Sequence, residues 1–583
     1  MNTLNKSIDL SKIYNNKIIQ ILINVLFSIS CASLTAILIV ADLSNSVIDI
    51  ALPLASFFIM LFVTNKFNLL KLIFNSLNKI ILVITVVISF YELNLTSFYM
   101  LYYSTTYANI IFVIIAYPSV VTFLYWFYSK LWCYFKLFIK SLNKFEKNFL
   151  IIATSILTVA VIVIYNVTTI FTHAQINKEN RRYHIEYDVV NDETTKEANS
   201  LIDMIYTCIR SNLIFTADTQ ILLEKDTYNK INDVENDLRQ PFFSIFAFPY
   251  TILPRLISDI SFKQIYPFLI AVIQGFLMFV SIILIEKMMN LKGITRLLFI
   301  IFLSVTYPTL LFSINMEQYA ISVFYLVTFI YMSINKIKDR DWLFIFSTGS
   351  LLTSGILFPL LGEKGNLKNS IKNIFFTFLK FVAVLIISAK VLLIFPDKLS
   401  QQTEAYSHFS GENTSFNVRL NMYTNFAFNT MVAPEIETKE IFLANSIAIV
   451  NNVSYRIHAL NYCIAQTNNE KTNILGIIIL LIVLVGFILN RKDKLSQICF
   501  FWIIFSVILM PIVGYGADEN GFILYSYYFS WSFVCLLFKF FESILKKWPK
   551  IKNTIYTLAI TSMCTINLYG IYKIIIFGIE HYD

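Results

Sequence analysis

Charged side chains are scarce in this sequence. Asp, Glu, Lys and Arg make up 14% of its 583 residues, about half the share found in an ordinary soluble domain. So little charge excludes a protein whose whole surface faces water. Apolar runs of about 18 to 24 residues recur along the chain, and such runs can cross a bilayer core of about 30 Å. They predict an all-α polytopic membrane protein, because a membrane β-barrel would show short alternating strands instead.

Several site-forming motifs are also missing. The sequence has no phosphate-binding P-loop, no dinucleotide fingerprint, no nucleophile elbow and no metalloprotease helix. A lipid-linked substrate is therefore expected in place of a nucleotide-linked one. The net charge of +9 indicates membrane topology and no nucleic-acid binding, because the basic residues stand in short loops beside the apolar runs.

Cysteine is rare as well, with seven residues and no metal-ligand spacing among them. Cys208 and Cys463 fall in two polar loops that are predicted below to lie on the same side of the membrane. A disulfide between them is one interpretation, and two unrelated thiols are the preferred one.

The positions of Lys and Arg predict the topology, because these residues concentrate in cytoplasmic loops. They indicate four helices in residues 1–148 with the N-terminus inside, so that the apolar run at 149–172 delivers the next loop to the outside. The stretch 342–361 is predicted to be re-entrant or broken, at Gly349 or Gly355, since the lysines after it would otherwise lie outside. In total the pattern predicts about 13 transmembrane helices and two large extracytoplasmic loops, 173–262 and 396–473, followed by C-terminal membrane helices in 474–583.

A catalytic membrane core is predicted at 149–395. It includes the first outer loop and single spans near 264–286, 296–314 and 318–334. The Asn, Lys and Ile usage of the chain suggests an AT-rich bacterial genome, so the expected location is the bacterial cytoplasmic membrane with an extracytoplasmic active site.

The loop at 173–262 is the most unusual segment. It holds fourteen acidic residues against nine basic ones, in a chain with 37 acidic residues in total. Glu186, Asp188, Asp192 and Glu193 lie within eight residues, soon after the chain leaves the membrane. A carboxylate near a low-dielectric boundary can act as a general base, and its neighbour could hold a divalent metal ion through oxygen ligands. For any single carboxylate, a solvated acidic face is the competing interpretation.

Two elements of this loop resemble those of a known family. Asp192-Glu193-Thr194 stands early in the loop, and Arg239-Gln240-Pro241-Phe242 leads back into apolar sequence. Over residues 149–340 this pattern is similar to type C glycosyltransferases, such as the protein O-mannosyltransferases and the lipid A aminoarabinose transferases. The resemblance implies a GT-C fold and a polyprenyl-phosphate sugar donor used at the outer face. The chain departs from the family in having four helices before the loop, and in having Arg-Gln-Pro where His-Pro-Pro or Lys-Pro is commoner.

The resemblance also implies roles for single residues. Asp192 is the expected base that takes the acceptor proton, Asp188 is the second choice, and Glu193 assists. Arg239 is expected either to bind the leaving phosphate with two hydrogen bonds or to bridge Asp237 or a neighbouring acid structurally. Arg239 and Asp237 are both assigned to the substrate-binding site.

Two further charged residues are expected near the outer face. Glu317 stands on a short turn between two spans, where it reaches the loop site or is simply solvated. Lys390 lies inside a predicted span, about 9 Å below its outer end at helical rise. Ionisable residues within spans indicate functional sites, so Lys390 is expected to bind a lipid phosphate, whereas Lys380 in the same span is expected to snorkel.

Three hypotheses follow for the function. The first is a membrane glycosyltransferase that moves a sugar from polyprenyl phosphate to an extracytoplasmic glycan, lipid or cell-wall polymer. The second is a polysaccharide polymerase or ligase with polyprenyl-linked substrates, for which Arg-rich outer loops would be typical. The third is a lipid-linked sugar flippase or transporter, for which paired half-repeats and small loops would be typical. The acid-rich loop favours the first.

Overall fold

The computed structural model describes the chain in ranges separated by gaps. The described residues are 17–40, 46–68, 70, 73, 78–90, 107–167, 185–187, 243–261, 265–315, 318–337, 340–362, 367–391, 414–450, 453–466, 471–517 and 522–582.

Helices make up most of these ranges. In the N-terminal region they are α1 (Lys17–Val40), α2 (Ser46–Phe67), α3 (Lys79–Phe90) and α4 (Tyr107–Ser141). The middle of the chain forms α5 (Lys144–Val167), α6 (Phe243–Ser261), α7 (Tyr266–Met289), α8 (Gly293–Ser304), α9 (Tyr307–Ile314), α10 (Gln318–Ile334), α11 (Arg340–Ser350) and α12 (Leu367–Val391). The C-terminal part forms α13 (Phe416–Asn429), α14 (Ile474–Leu489), α15 (Lys494–Val507), α16 (Ser526–Ile544) and α17 (Pro549–Tyr582).

Many of these helices have the length and composition of membrane spans. Within the described residues, six are long and apolar enough to cross a membrane, and a seventh span results if the pair α8–α9 crosses as one. Shorter apolar helices of 10–17 residues accompany them. These helices support the helical membrane protein expected from the sequence, whereas the count of about 13 crossings stays a prediction.

Helix α16 forms the centre of the core. Its residues from Ser526 to Phe538 are all buried, and it contacts α9, α10, α14 and α15. Helix α14 approaches it closely at Gly486, where an added Cβ would lie only 2.4 Å from the Leu536 carbonyl oxygen. Because only glycine leaves room there, the two backbones come into direct contact, as small residues allow between membrane helices.

The predicted single span at 296–314 is bent. The helices α8 and α9 meet at an angle of 57°, and Thr306 between them has an extended backbone. Pro308 explains the break, because proline lacks the N–H that would bond to Ser304 in a continuous helix and its ring disfavours the preceding turn. A bend in a membrane helix exposes backbone groups, and these need partners within the protein.

Asn567 on α17 supplies partners for that break. Its side-chain amide donates to the Val305 carbonyl at 2.7 Å and to the Met431 carbonyl at 2.8 Å. Its carbonyl oxygen accepts from the Ala433 N–H at 2.7 Å. Tyr307 N–H also donates to Met431 O at 3.0 Å. One buried amide therefore joins the α8–α9 break, the segment after α13 and the helix α17.

The stretch predicted to be re-entrant or broken folds back on itself. Helix α11 ends at Ser350 and a 3₁₀ helix follows at Leu352–Leu361. Arg340, the first residue of α11, donates to the Leu361 carbonyl at 2.9 Å and to the Gly362 carbonyl at 3.3 Å. The two ends of the segment therefore meet, and the turn lies between the two glycines that the sequence suggested.

Ion pairs gather at one end of the helix bundle, called the charged end below. Glu146 at the start of α5 is fully buried, binds Arg296, and lies 3.2 Å from the Lys287 ammonium. Arg296 also pairs with Glu286 at 2.7 Å. Three more contacts join helix ends here. Lys494 donates to the Ser333 carbonyl, Lys539 pairs with Asp493, and Lys552 pairs with Glu542. These are the ends that the distribution of Lys and Arg places inside.

The N-terminal helices associate through polar side chains. Asn24 on α1 donates to Asn65 on α2 at 2.7 Å, and Thr35 on α1 donates to Ser56 on α2 at 3.0 Å. Lipid offers no hydrophobic driving force between apolar helices, so such hydrogen bonds and close packing hold membrane helices together.

Three strands form a sheet outside the helical part. They are β1 (Ile185–Tyr187), β2 (Ile436–Val450) and β3 (Val453–Gln466), in the order β1-β3-β2 with antiparallel neighbours. A bulge interrupts the β2–β3 register between Phe442 and Ala444. The strand β2 begins shortly after Ala433, so the sheet leaves the bundle beside Asn567, at what is called the sheet end below.

Replacing Asn567 with Leu should destabilise the protein. The Val305 carbonyl and the Ala433 N–H would lose their partner, and the Met431 carbonyl would keep only the bond from Tyr307 N–H. Each lost hydrogen bond costs about 1 to 3 kcal/mol in soluble proteins and about 0.6 kcal/mol in membrane ones. We expect a loss of about 2 to 5 kcal/mol in total, measured as a lower melting temperature in detergent. Thr565→Leu on the exposed face of the same helix is the control and should melt like the wild type. Equal melting of the two variants would contradict the role of Asn567.

Arg296→Met should be more disruptive than Arg491→Met, an exposed arginine at the same end. Removing Arg296 leaves two buried carboxylates with Lys287 as the remaining cation, and breaking a buried ion pair costs about 3 to 5 kcal/mol. Adding Glu146→Gln to Arg296→Met should recover part of the lost melting temperature, since the second change removes one uncompensated charge. A wild-type melting temperature for Arg296→Met would show that the cluster contributes nothing to stability.

Candidate functional site

Most of the charged residues singled out in the sequence lie outside the described residues. This is the case for Asp188, Asp192, Glu193, Asp237, Arg239 and Glu317. Lys390 lies near the C-terminal end of α12, and only its backbone is described. The roles given to these residues stay predictions, and the site has to be built from its described surroundings.

The sheet brings the two predicted outer loops together. Strand β1 belongs to the acid-rich loop 173–262, whereas β2 and β3 belong to the loop 396–473. The backbone of β1 pairs with β3, with Ile185 opposite Ala459 and Tyr187 opposite Ile457. Segments that form one sheet lie on the same side of the helix bundle, which agrees with the predicted placement of both loops.

This pairing positions the start of the carboxylate cluster. Glu186 on β1 stands opposite His458 on β3, and Asp188 is the next residue after the strand. His is the residue type most often used for general acid and base catalysis, and Glu also serves in this role. The strand therefore places Glu186, the first carboxylate of the cluster, opposite a histidine position of the second loop, whereas Asp188, Asp192 and Glu193 lie outside the described residues.

Helix α6 occupies the last part of the range assigned to the first outer loop. It begins at Phe243, right after the Arg239-Gln240-Pro241-Phe242 element, and contacts α7 and α11. Tyr250 on α6 and Tyr325 on α10 are joined by a hydrogen bond of 3.1 Å between their hydroxyls. The acid-rich loop thus returns to the bundle as a helix packed among membrane helices.

Arg255 on α6 is a buried cation that the sequence analysis did not single out. Only 8% of its surface is exposed. A buried arginine twelve positions into the first helix after an acidic loop is the kind of residue that binds an anionic group. The signal in the sequence was the Pro254-Arg255 pair within an otherwise uncharged run from Phe242 to Ser258.

Buried tyrosines cluster where α9, α10 and α16 meet. Tyr319 at the start of α10 lies 5.0 Å from Tyr528 and 5.3 Å from Phe312, measured between ring centroids. Tyr527 also contacts Phe312. Nearby, Tyr423 on α13 shares a hydrogen bond of 2.7 Å with Ser506. Burial raises the pKa of the Tyr423 hydroxyl above its usual value.

The sequence carried a signal for this cluster. The run Ser526-Tyr-Tyr-Phe-Ser-Trp-Ser places hydroxyl groups and aromatic rings along a predicted span, where aliphatic residues are usual. Trp502 and Trp531 both donate to the Tyr528 carbonyl, at 2.8 and 2.9 Å. These bonds fix the first turn of α16, and with it the rings of Tyr527 and Tyr528, at the end of the bundle opposite to the charged end.

Lys380, which was expected to snorkel, pairs with Asp341 at the start of α11 and lies 5.4 Å from the ring centroid of Trp342. Its side chain is 42% exposed, and the snorkelling stays a prediction. The lysine ties α12 to the hairpin formed by α11 and the following 3₁₀ helix.

The described residues contain no group of three or more His, Cys, Asp or Glu side chains that could hold a metal ion. The carboxylates suggested as metal ligands, Asp192 and Glu193, lie outside those residues. Cys463 is on β3 opposite Lys439, whereas Cys208 also lies outside the described part. The metal and the disulfide both stay open predictions.

The pairing of β1 with β3 can be tested by cross-linking. In a Cys208→Ser, Cys463→Ser background, Ile185→Cys with Ala459→Cys should form a disulfide under mild oxidation, because directly paired strand residues come within disulfide range. The control is Ile185→Cys with Ala465→Cys, since Ala465 lies six residues further along β3, about 20 Å away. Cross-linking of both pairs, or of neither, would contradict the register. The readout is the electrophoretic mobility with and without reductant.

Comparison with known proteins adds no relative to this geometry. No protein-family model, no curated protein and no solved structure is similar to the chain. Any function proposed for it therefore depends on the residues and the contacts described above.

Proposed function

We propose that the chain is an integral membrane glycosyltransferase that uses a polyprenyl-phosphate sugar. The observation that carries the proposal is the β1–β3 pairing, which joins the acid-rich loop to the second polar loop on one face of an apolar helix bundle. A transferase with a lipid-linked donor needs such an arrangement. The lipid tail requires an apolar bundle, and the transfer requires acid and base groups just outside it.

The separation of charge in the bundle supports the proposal. The described ion pairs that involve buried carboxylates lie at the charged end. The sheet end combines buried tyrosine hydroxyls with the loops that contain the carboxylate cluster. The buried acids of the described ranges thus have their cations at the charged end, and the proposal places the reacting carboxylates at the other end, with the sheet.

In the proposed reaction, Asp192 takes the proton from the acceptor hydroxyl, and that oxygen attacks the anomeric carbon of the sugar. The bond from this carbon to the phosphate oxygen breaks, and polyprenyl phosphate leaves. Glu193 and Asp188 support the base, whereas Arg239 and Asp237 lie near the phosphate at the end of the loop. Lys390 and Glu317 complete the predicted binding site for donor and acceptor.

The proposed setting is the bacterial cytoplasmic membrane, with about 13 crossings and both loops outside. The acceptor is an extracytoplasmic glycan, lipid or cell-wall polymer. A polymerase or ligase with polyprenyl-linked substrates would use the same two loops. The bend between α8 and α9 favours a further candidate, a lipid-linked sugar flippase, because transporters build their sites from discontinuous helices.

The proposal is tested by sugar transfer with the purified protein in detergent. The substrates are a panel of polyprenyl-phosphate sugars and a membrane glycan extract. Wild type should transfer a sugar, and Asp192→Asn should lose about 10²- to 10⁴-fold in rate, the usual contribution of a general base. Asp218→Asn, another acid of the same loop, is the matched control and should keep its activity.

Three outcomes would change the conclusion. Full activity of Asp192→Asn would move the base to Asp188, which Asp188→Asn then tests. Equal losses in Asp192→Asn and Asp218→Asn would indicate an unspecific effect of the loop charge. No turnover with any donor, together with movement of a lipid-linked sugar across liposomes that contain the protein, would replace the transferase by the flippase.

A further inference from the structure

Helix α4 is longer than a membrane requires. Its 35 residues, Tyr107–Ser141, extend about 52 Å at a rise of 1.5 Å per residue. A hydrocarbon core of about 30 Å takes roughly 20 residues, so the helix is about fifteen residues longer than that. The helix ends at the charged end of the bundle, where only Leu142 and Asn143 separate it from α5.

A stripe of three residues marks this last part of α4. Trp132, Lys136 and Lys140 follow one another at intervals of four residues, so they lie on one face of the helix. All three side chains are exposed. The Lys136 ammonium lies 5.1 Å from the Trp132 ring centroid, and Trp132 stacks on Phe135 at 5.7 Å. The stripe covers about 12 Å along the helix axis, with its aromatic ring nearer the hydrocarbon core.

The lysines of the stripe differ from other lysines at the charged end. Lys287, Lys539 and Lys552 are held by carboxylates. Within the described ranges, Lys136 and Lys140 have no carboxylate at ion-pair distance. The sequence from 107 to 145 contains no Asp or Glu, and the first acid after it, Glu146, is buried and already paired. The positive charge of the stripe is therefore not neutralised by neighbouring acids of this helix.

We infer that the stripe Trp132–Lys136–Lys140 is a docking surface for anionic phospholipid headgroups of the leaflet at the charged end. An indole ring settles at the boundary between hydrocarbon and headgroups, and this places the two ammonium groups at the depth of the lipid phosphates. Each lysine near an anionic membrane surface raises the affinity roughly fivefold. Lys130, Lys144 and Lys147, which are also exposed, extend the positive surface around the stripe. The surface is separate from the proposed transfer site at the opposite end.

The test measures how strongly lipids quench the fluorescence of Trp132 in the stripe. The full-length protein is placed in nanodiscs with an increasing fraction of either brominated phosphatidylglycerol or brominated phosphatidylcholine. The quenching at Trp132 is the difference between the wild type and Trp132→Phe. We expect the anionic lipid to quench Trp132 at a lower fraction than the zwitterionic lipid. Lys136→Gln with Lys140→Gln should raise the phosphatidylglycerol fraction needed for half-maximal quenching by at least about fivefold, the contribution of one lysine.

A matched control separates this site from a general effect of net charge. Lys546→Gln with Lys547→Gln removes two exposed charges at the same end of the bundle and should leave the quenching of Trp132 unchanged. If Lys136→Gln with Lys140→Gln does not fold, the quenching of Trp132 is measured in the wild type at high salt. Screening should then abolish the preference for phosphatidylglycerol. Equal quenching by both lipids in the wild type, or an unchanged midpoint in Lys136→Gln with Lys140→Gln, would overturn the inference. So would an equal shift in the control variant.

Discussion

The hydrogen bonds of Asn567 are the contact on which the architecture of the sheet end depends. An apolar surrounding offers no water to a broken helix, so the backbone groups at the bend between α8 and α9 need partners from the protein. Asn567 binds the Val305 carbonyl at that bend and both Met431 and Ala433 in the segment that leads to β2. It thereby fixes where the sheet leaves the bundle. The sheet in turn fixes β1, the one described strand of the acid-rich loop.

The sequence predicted the features that depend on long stretches of residues. A helical membrane protein follows from repeated apolar runs, and the turn within 342–361 follows from lysines that a simple crossing would place outside. The bend between α8 and α9 could not be predicted in this way, because the apolar run continues through it and only Pro308 interrupts the pattern. The role of Asn567 was equally hidden, since a single amide in a span has no partner in its own segment.

Contacts between distant segments were even harder to predict from the sequence at the candidate site. The carboxylates from Glu186 to Glu193 are visible in the sequence because they are neighbours in the chain. Their relation to His458 is not visible, since the pairing of β1 with β3 joins segments far apart in sequence. The buried Arg255 and the tyrosines around Phe312 were missed for a related reason. An aromatic or a single charge in an apolar run is normally interpreted as packing or as an anchor, and its neighbours on other helices decide its chemistry.

The pairing of β1 with β3 also has a consequence for biosynthesis. Ile185 and its partner Ala459 are 274 residues apart, and ribosomes add about 5 to 20 residues per second. The acid-rich loop therefore emerges roughly 14 to 55 seconds before the strand that it pairs with. During that interval every intervening span has to insert with its correct orientation, because a single missed crossing would leave β3 on the wrong side. The sheet can assemble only in chains whose topology is complete, so its formation reports correct insertion of the helices between the two loops.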